Sequence, residues 1–327
     1  MTHTYILVDT SNLAMRVRYG MRAPDMNATI GLAIHILFNS IKQVWKQFDA
    51  THTVFALEGR SWRKDFYQPY KANRRETAAA RTPQEVEDDT LFFDALNDLI
   101  TFLRDKTNAT VLRNPQAEAD DMIARFIALH PEDDHVIIST DSDFLQLLAP
   151  NVRIYNGIAG LLYTSTGVWD KDGNAAVNKR GELLGVPNPE WLLFEKCMRG
   201  DDSDNVMSAY PGVRKKKLQE AFENRHEQGF AWNNLMLSKW TDHMGHEIRV
   251  RDAYLRNKSL IDLHAQPEEL RQLFDQTIQE AVSMPLHTQV GVNLIKFANS
   301  WGLVRIEQHV GDYSSCISKG YQGCLRK

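Results

Sequence analysis

The sequence predicts an α/β fold: a mostly parallel central sheet flanked by helices, followed by an all-helical C-terminal region. Two observations carry that expectation. Up to about residue 185, short apolar runs of strand length alternate with longer segments whose apolar residues recur at helical spacing. Beyond that point only the helical spacing recurs.

The elements follow in order. Residues 5–8 form a short apolar strand that ends at Asp9. Residues 29–48 read as a helix, with Ile30, Ile34, Leu37, Ile41, Val44 and Trp45 on one face. Residues 53–57 are a second strand, ending at Glu58. Thr82, Pro83 and Glu85 mark a helix start, with Thr as cap, Pro at the first position and Glu closing a capping box. That helix runs to about residue 105. Residues 109–112 are a third strand and 117–130 a helix. A fourth strand, 136–138, runs into Ser139, Thr140 and Asp141, and 152–155 reads as a fifth. Strands separated by helices imply parallel pairing with helices on both faces. Further helices are expected over 189–199, 214–225, 232–243, 248–258, 267–282 and 290–298. The tail from Val310, rich in Gly, Ser and Cys, is expected to be poorly ordered. The expected division is an α/β domain over 1–185 and a helical domain over 186–327.

Composition narrows the function. The chain has 327 residues, 43% apolar and 24% charged, as an ordinary globular protein has. No apolar run approaches the roughly 20 residues of a membrane span, and residues 5–8 are too short for the core of a signal peptide. Cys197, Cys316 and Cys324 offer neither metal spacing nor a disulfide framework, which fits a reducing, cytoplasmic setting. A net charge of −4 argues against a uniformly basic surface, so the distribution of charge decides.

The acids fall at particular places. In open parallel sheets, ligands bind beyond the carboxyl ends of the strands. Asp9, Glu58 and Asp141 lie at such ends, Asp143 follows Asp141, and Glu118, Asp120 and Asp121 open the helix after the third strand. Asp201 and Asp204 lie one helical turn apart. Alone, each has a plainer explanation as a turn residue or helix cap. Together they would repel strongly, and hard divalent cations are the natural remedy. Two such ions would activate water and stabilise a leaving oxygen in phosphodiester hydrolysis.

The bases are localised too. Residues 60–81 hold seven Lys or Arg against two acids, interleaved with Trp62, Phe66, Tyr67 and Tyr70. Cations bind phosphates and aromatics stack on unpaired bases, and the segment leaves the sheet directly after Glu58. A second run, Arg214, Lys215, Lys216 and Lys217, follows Pro211 and Gly212 at a helix start, where amides and lysines could hold a duplex phosphate.

Five motifs occur in order: Val8-Asp9-Thr10-Ser11-Asn12, Tyr70-Lys71-Ala72-Asn73-Arg74, Glu118-Ala119-Asp120-Asp121, Ser139-Thr140-Asp141-Ser142-Asp143 and Arg199-Gly200-Asp201-Asp202-Ser203-Asp204-Asn205. The set resembles that of the 5′-nuclease (flap endonuclease) superfamily, and within it the phage enzymes, above all the ribonuclease H enzymes of T-even bacteriophages. The similarity is clear over residues 4–225.

The resemblance implies a 5′-nuclease/PIN-like fold with a helix-three-turn-helix element around Gly212 to Lys217 that grips the duplex. It implies two Mg2+ ions, with Mn2+ able to substitute, and a monovalent cation in the helix-three-turn-helix element. One Mg2+ would involve Asp9, Glu58, Glu118 and Asp120, with Asp121 as a weaker candidate. The other would involve Asp141, Asp143, Asp201 and Asp204. Lys71 would contact the scissile phosphate. Arg74, Arg75 and Arg81 would lie in a basic arch, about residues 60–82, over the single strand. Arg63, Lys64, Tyr70, Gly212 and Arg214 to Lys217 would bind nucleic acid.

The implied activity is structure-specific 5′→3′ exonuclease and flap endonuclease cleavage leaving 5′-phosphates, with removal of RNA primers during replication. The implied partners are DNA and RNA–DNA hybrids with 5′ ends, flaps or nicks. A single-stranded-DNA-binding or other replication protein would meet the C-terminal helices. A monomer in the cytoplasm, the host's if phage-encoded, and a nuclease without an attached polymerase are expected.

Three departures stand out. Glu58 replaces the usual Asp, and Arg214 follows Gly212-Val213 where a second glycine is usual. Helical spacing pairs Glu118 with Asp121, whereas the family pattern favours Asp120. Two other readings stay open: a PIN-like ribonuclease, against which Asp201, Asp204 and the second basic run argue, and a non-catalytic junction-binding protein, against which the intact set of acids argues.

Overall fold

The computed structural model describes residues 2–20 and 24–326, with the side chains of residues 75 and 76 outside that description. The chain opens with β1 (Thr4–Asp9), α1 (Thr10–Gly20), α2 (Met26–Gln47) and β2 (His52–Ala56). Two short helices follow, α3 (Arg63–Phe66) and α4 (Asn73–Ala79), and then the long α5 (Pro83–Lys106). Next come β3 (Thr110–Leu112), α6 (Ala119–Leu129), β4 (Asp134–Ile138), a 3-10 turn over Ser142–Leu147, β5 (Val152–Asn156), β6 (Leu161–Thr164) and β7 (Gly167–Trp169). The later elements are α7 (Pro189–Arg199), α8 (Lys215–Glu223), α9 (Phe230–Leu237), β8 (Lys239–Thr241), β9 (Glu247–Arg249) and α10 (Val250–Ile261). Last are α11 (Glu268–Val282), α12 (Val290–Ser300), α13 (Val304–Gln308) and α14 (Val310–Ser318).

The chain divides into two compact units. The first comprises Met1–Ser61, Arg81–Pro187 and Glu268–Lys327; the second comprises Trp62–Ala80 and Asn188–Pro267. The expected single boundary at 185/186 therefore marks one crossing only. The last helices return to the sheet-bearing unit, because their apolar faces complete its core.

In the first unit the sheet order is β3-β2-β1-β4-β5-β6-β7. The five strands β1 to β5 pair in parallel, and the unforeseen β6 and β7 add an antiparallel edge. Leu7 sits in register between Val54 and Ile137. These strands are apolar on both faces because helices cover both. The predicted capping box of α5 is present: the Glu85 amide donates to Thr82 Oγ1 at 3.3 Å, and the Thr82 amide donates to Glu85 Oε2 at 2.7 Å. The tail is ordered, against expectation. Tyr313, Cys316 and Ile317 of α14 are buried with residues of α2 and α12 in one cluster, and Thr53 Oγ1 donates to the Cys316 carbonyl at 2.7 Å. Their helical spacing outweighed the Gly- and Ser-rich composition. Among the described residues, no helix is long and apolar enough to cross a membrane.

The second unit packs α7 to α10 around Phe194, Met198, Leu218, Phe222, Leu235, Val250 and Ala253. It is not all helical. The helix expected over 232–243 stops at Leu237, and β8 pairs with β9 in an antiparallel hairpin. Asp242 accepts the amides of Met244 and His246, each at 2.9 Å, and Gly245 adopts φ 85°. The Trp240 indole donates to the Ala209 carbonyl at 2.9 Å. This turn chemistry, with Trp240 anchored in the core, beats local helix propensity.

Candidate active site

The adjacent parallel strands β2, β1 and β4 present their carboxyl ends side by side. Asp9 closes β1 and is 5% exposed. Its carboxylate accepts Ser139 Oγ at 2.8 Å and the Asn12 amide at 3.3 Å. Ser139 is buried and also accepts the Asp141 amide at 3.0 Å. Asn12 Oδ1 in turn accepts Thr140 Oγ1 at 2.7 Å. Ser139 and Asn12 thus lock the Asp9 carboxylate to the loop that carries Asp141. Neither was assigned a role from the sequence, although both lie inside the motifs; their regular spacing from the acids was the available signal.

Asp141 Oδ1 accepts the Asp143 amide at 2.9 Å and caps the 3-10 turn. Glu58 stands exposed just beyond β2. The adjoining Gly59 donates its amide to the Ala117 carbonyl at 2.8 Å. A Cβ there would collide with the Asn114 carbonyl oxygen, so only glycine lets this loop approach the segment leading to Glu118. Glu118 is the N-cap residue of α6. Asp121 is fully buried and accepts the Glu118 amide at 3.1 Å, while Asp120 accepts the Asp121 amide at 2.7 Å. The helix start therefore uses Asp121 as its internal cap, the spacing that regular geometry favours. Asp120 is half-buried beside it.

In the second unit the segment 69–74 is knitted to the loop 200–206. Gly200 adopts φ 80°, and a Cβ on it would collide with the Val206 carbonyl oxygen. Asp201 receives Lys196 Nζ at 2.7 Å and Ser203 Oγ at 2.6 Å. Burial works against its charge, but these partners prevail and hold its carboxyl below the usual carboxylate range. Asp204 accepts Tyr70 Oη at 2.9 Å and Arg74 Nη2 at 2.9 Å, and Lys71 Nζ lies 3.6 Å away.

Several expected nucleic-acid contacts are placed elsewhere. Arg63 is 1% exposed, and its Nε donates to the Leu260 carbonyl at 2.7 Å. A buried guanidinium is stable there because it is hydrogen-bonded. Tyr70 is buried in a cluster with Cys197, Val206, Leu260 and Ile261, so it is no open stacking platform. Trp62 is buried as well, and Phe66 remains exposed. Arg81, in the first unit, pairs with the buried Asp89 at 2.6 Å alongside Arg18. The Arg75 side chain lies outside the described residues. Lys64 and Lys217 are half-buried, and Gly212, Arg214, Lys215 and Lys216 are exposed. Lys217 Nζ sits 5.0 Å from the Tyr210 ring centre, and Gly212 adopts φ 71°. Arg214 makes no side-chain cap to α8.

Carboxylates follow the carboxyl ends of neighbouring strands in the first unit, and oxygen donors suit a hard divalent cation better than a soft metal. Among the described residues, no three His, Cys, Asp or Glu side chains form a ready-made cage for an ion. Magnesium does not require one, since it keeps several waters and is bound through one or two carboxylates.

The family model of the 5′-3′ exonuclease N-terminal, resolvase-like domain matches residues 4–173, and the chain belongs to this 5′-3′ exonuclease family. It is 25% identical to the DNA polymerase I of Rhizobium leguminosarum over 98% of this chain, and spans 29% of that relative's length. It is also 25% identical to the flap endonuclease Xni of Shewanella woodyi, over 67% of this chain and 76% of that protein. Among solved structures, the bacteriophage T5 flap endonuclease, in a complex with DNA and metal ions, matches with TM-score 0.59 and 20% identity. The match covers 85% of this chain and 99% of that one. The T5 5′-exonuclease with bound zinc matches with TM-score 0.59 at 21% identity over the same shares of each chain. These two likenesses are of fold.

Proposed function

We propose that the chain is a divalent-metal-dependent, structure-specific 5′→3′ exonuclease and flap endonuclease that also removes RNA primers from DNA, leaving 5′-phosphates. The observation that carries this reading is the row of acids at one end of the first unit's sheet. Asp9, Glu58 and Asp141 follow neighbouring strands, with Asp143 in the turn after Asp141, and Glu118 and Asp120 open the helix after β3.

These six carboxylates would hold Mg2+ or Mn2+. A bound cation would activate water and stabilise the charge on the leaving oxygen. The chain's own groups do the rest. Ser139 and Asn12 keep the Asp9 carboxylate aimed. Asp121 caps α6 and so fixes the orientation of Glu118 and Asp120. Lys71 and Arg74 supply positive charge to the scissile phosphate.

Duplex binding falls to the turn before α8. Three lysines in the first turn of a helix oppose its dipole, which is tolerable when a phosphate docks at the uncapped amides. A helix-three-turn-helix grip at Gly212 to Lys217, with its monovalent cation, is part of this reading. So is a contact with a single-stranded-DNA-binding protein through the C-terminal helices, where Val292 and Val304 stand exposed.

The test is cleavage of 5′-labelled flapped, nicked and RNA-primed duplexes by the full chain with magnesium. Short 5′-phosphorylated products are expected. Products from an internal single strand alone would favour a different nuclease class.

A further inference from the structure

Asp204 was expected to hold a metal, but its surroundings suit another task. Both carboxylate oxygens are engaged by donors. Oδ1 accepts Arg74 Nη2 at 2.9 Å; Oδ2 accepts Tyr70 Oη at 2.9 Å and faces Lys71 Nζ at 3.6 Å. A divalent ion on this carboxylate would sit beside two cationic side chains, and desolvation would sharpen that repulsion: the Asp204 and Lys71 side chains are only 18% and 12% exposed.

The backbone points the same way. Lys71 adopts φ 54°, a region a lysine rarely enters. Its amide donates to the Asp204 carbonyl at 2.8 Å. Asn205 Nδ2 donates to the Pro69 carbonyl at 2.7 Å, and Asn73 Nδ2 reaches the Asp202 carbonyl at 3.3 Å. The strained turn at Lys71 is therefore held from both sides by the loop that carries Asp204. Tyr70, buried just before it, fixes the carboxylate's second oxygen.

We propose that Asp204 is a positioning residue, a carboxylate clamp that presents Lys71 and Arg74 to the substrate phosphate, and not a metal ligand. The proposal rests on the nuclease reading above. Without the clamp, Lys71 and Arg74 lose the carboxylate that orients them, and their charge is less preorganised against the developing charge.

A double-mutant cycle in the full chain tests this. Asp204→Asn, Lys71→Ala and the double variant are compared in magnesium-started single turnovers of a 5′-flap duplex. Duplex affinity is measured with calcium, and the magnesium concentration for half-maximal rate is titrated for each. Asp204→Asn is expected to lower the rate on the order of 10-fold, and Lys71→Ala by roughly 10²-fold. Beside Lys71→Ala, the Asp204→Asn change should cost clearly less than it does alone, because the Lys71 part of the clamp is already gone and only the Arg74 part remains to be lost. The half-saturating magnesium concentration and the flap KM should stay at the wild-type values.

Multiplicative losses, or a severalfold rise in half-saturating magnesium for Asp204→Asn, would overturn the clamp and restore the ligand role. If Asp204→Asn fails to fold, Tyr70→Phe takes its place. It should lower the rate about 3-fold in the wild-type background and by less than that beside Lys71→Ala; an equal loss in both backgrounds overturns the clamp. A wild-type chain that cleaves none of the duplexes overturns the nuclease reading itself, which is a separate result.

Discussion

Asp143 offers the cleanest separation of binding from chemistry. Its amide is held by Asp141 Oδ1, so Asp143→Asn removes one negative charge while keeping the backbone contact. Single-turnover cleavage should fall by roughly 10²-fold or more, while calcium-supported duplex binding persists, because phosphate contacts elsewhere carry affinity. Near-normal turnover would show the acids to be structural. The strand-end positions of Asp9, Glu58 and Asp141 were legible because a parallel strand is a short apolar run whose end is marked by the first charged residue. The basic segment was less legible. Arg63 and Arg74 look alike in sequence, yet one donates to a buried carbonyl and the other, itself exposed, to a carboxylate. Tyr70 reads as a stacking aromatic, but tertiary packing assigns it to the core. Nothing local distinguishes these fates.

α8 is the element whose prediction comes most directly from its own sequence. Lys215, Lys216 and Lys217 crowd its first turn, where the dipole disfavours them unless an anion is bound. Replacing all three with Ala should weaken duplex binding and reduce its salt dependence, by a slope of about 1 for each phosphate no longer held. Cleavage at saturating enzyme should change little. Unchanged salt dependence would remove α8 from the interface. Other elements show which signals survive translation into structure. The Thr82–Glu85 capping box is local chemistry and was legible to the residue. The hairpin β8–β9 and the ordered α14 were not, because each depends on a distant partner, the Ala209 carbonyl in one case and β2 in the other.

On the scale of the whole molecule, the first unit closes at the amino ends of its strands around buried imidazoles. His52 Nδ1 meets the Lys319 carbonyl at 3.0 Å, and His130 Nε2 meets Tyr321 Oη at 2.6 Å, so the last residues of the chain strap this end of the sheet. Burial pushes His52 and His135 down to about 4 from an ordinary value of 6.5. Between those values the unfolded chain binds protons that the folded one does not. The stability these groups contribute is therefore present above pH 6.5 and is lost as pH falls toward 4, on the order of 3 kcal/mol for each histidine. Chemical denaturation should show a clearly lower unfolding free energy at about pH 5 than at about pH 7.5, and a flat profile would contradict the buried neutral imidazoles. The return of residues 268–327 to the first unit was not legible, since helices carry no mark of which sheet they will cover. The central claim concerns the acids at the other end of that sheet. Its most direct test is the rate of 5′-flap cleavage as magnesium is titrated in and then removed with excess chelator. The account predicts a rate that rises with magnesium and vanishes with the chelator; full cleavage in excess chelator would contradict it.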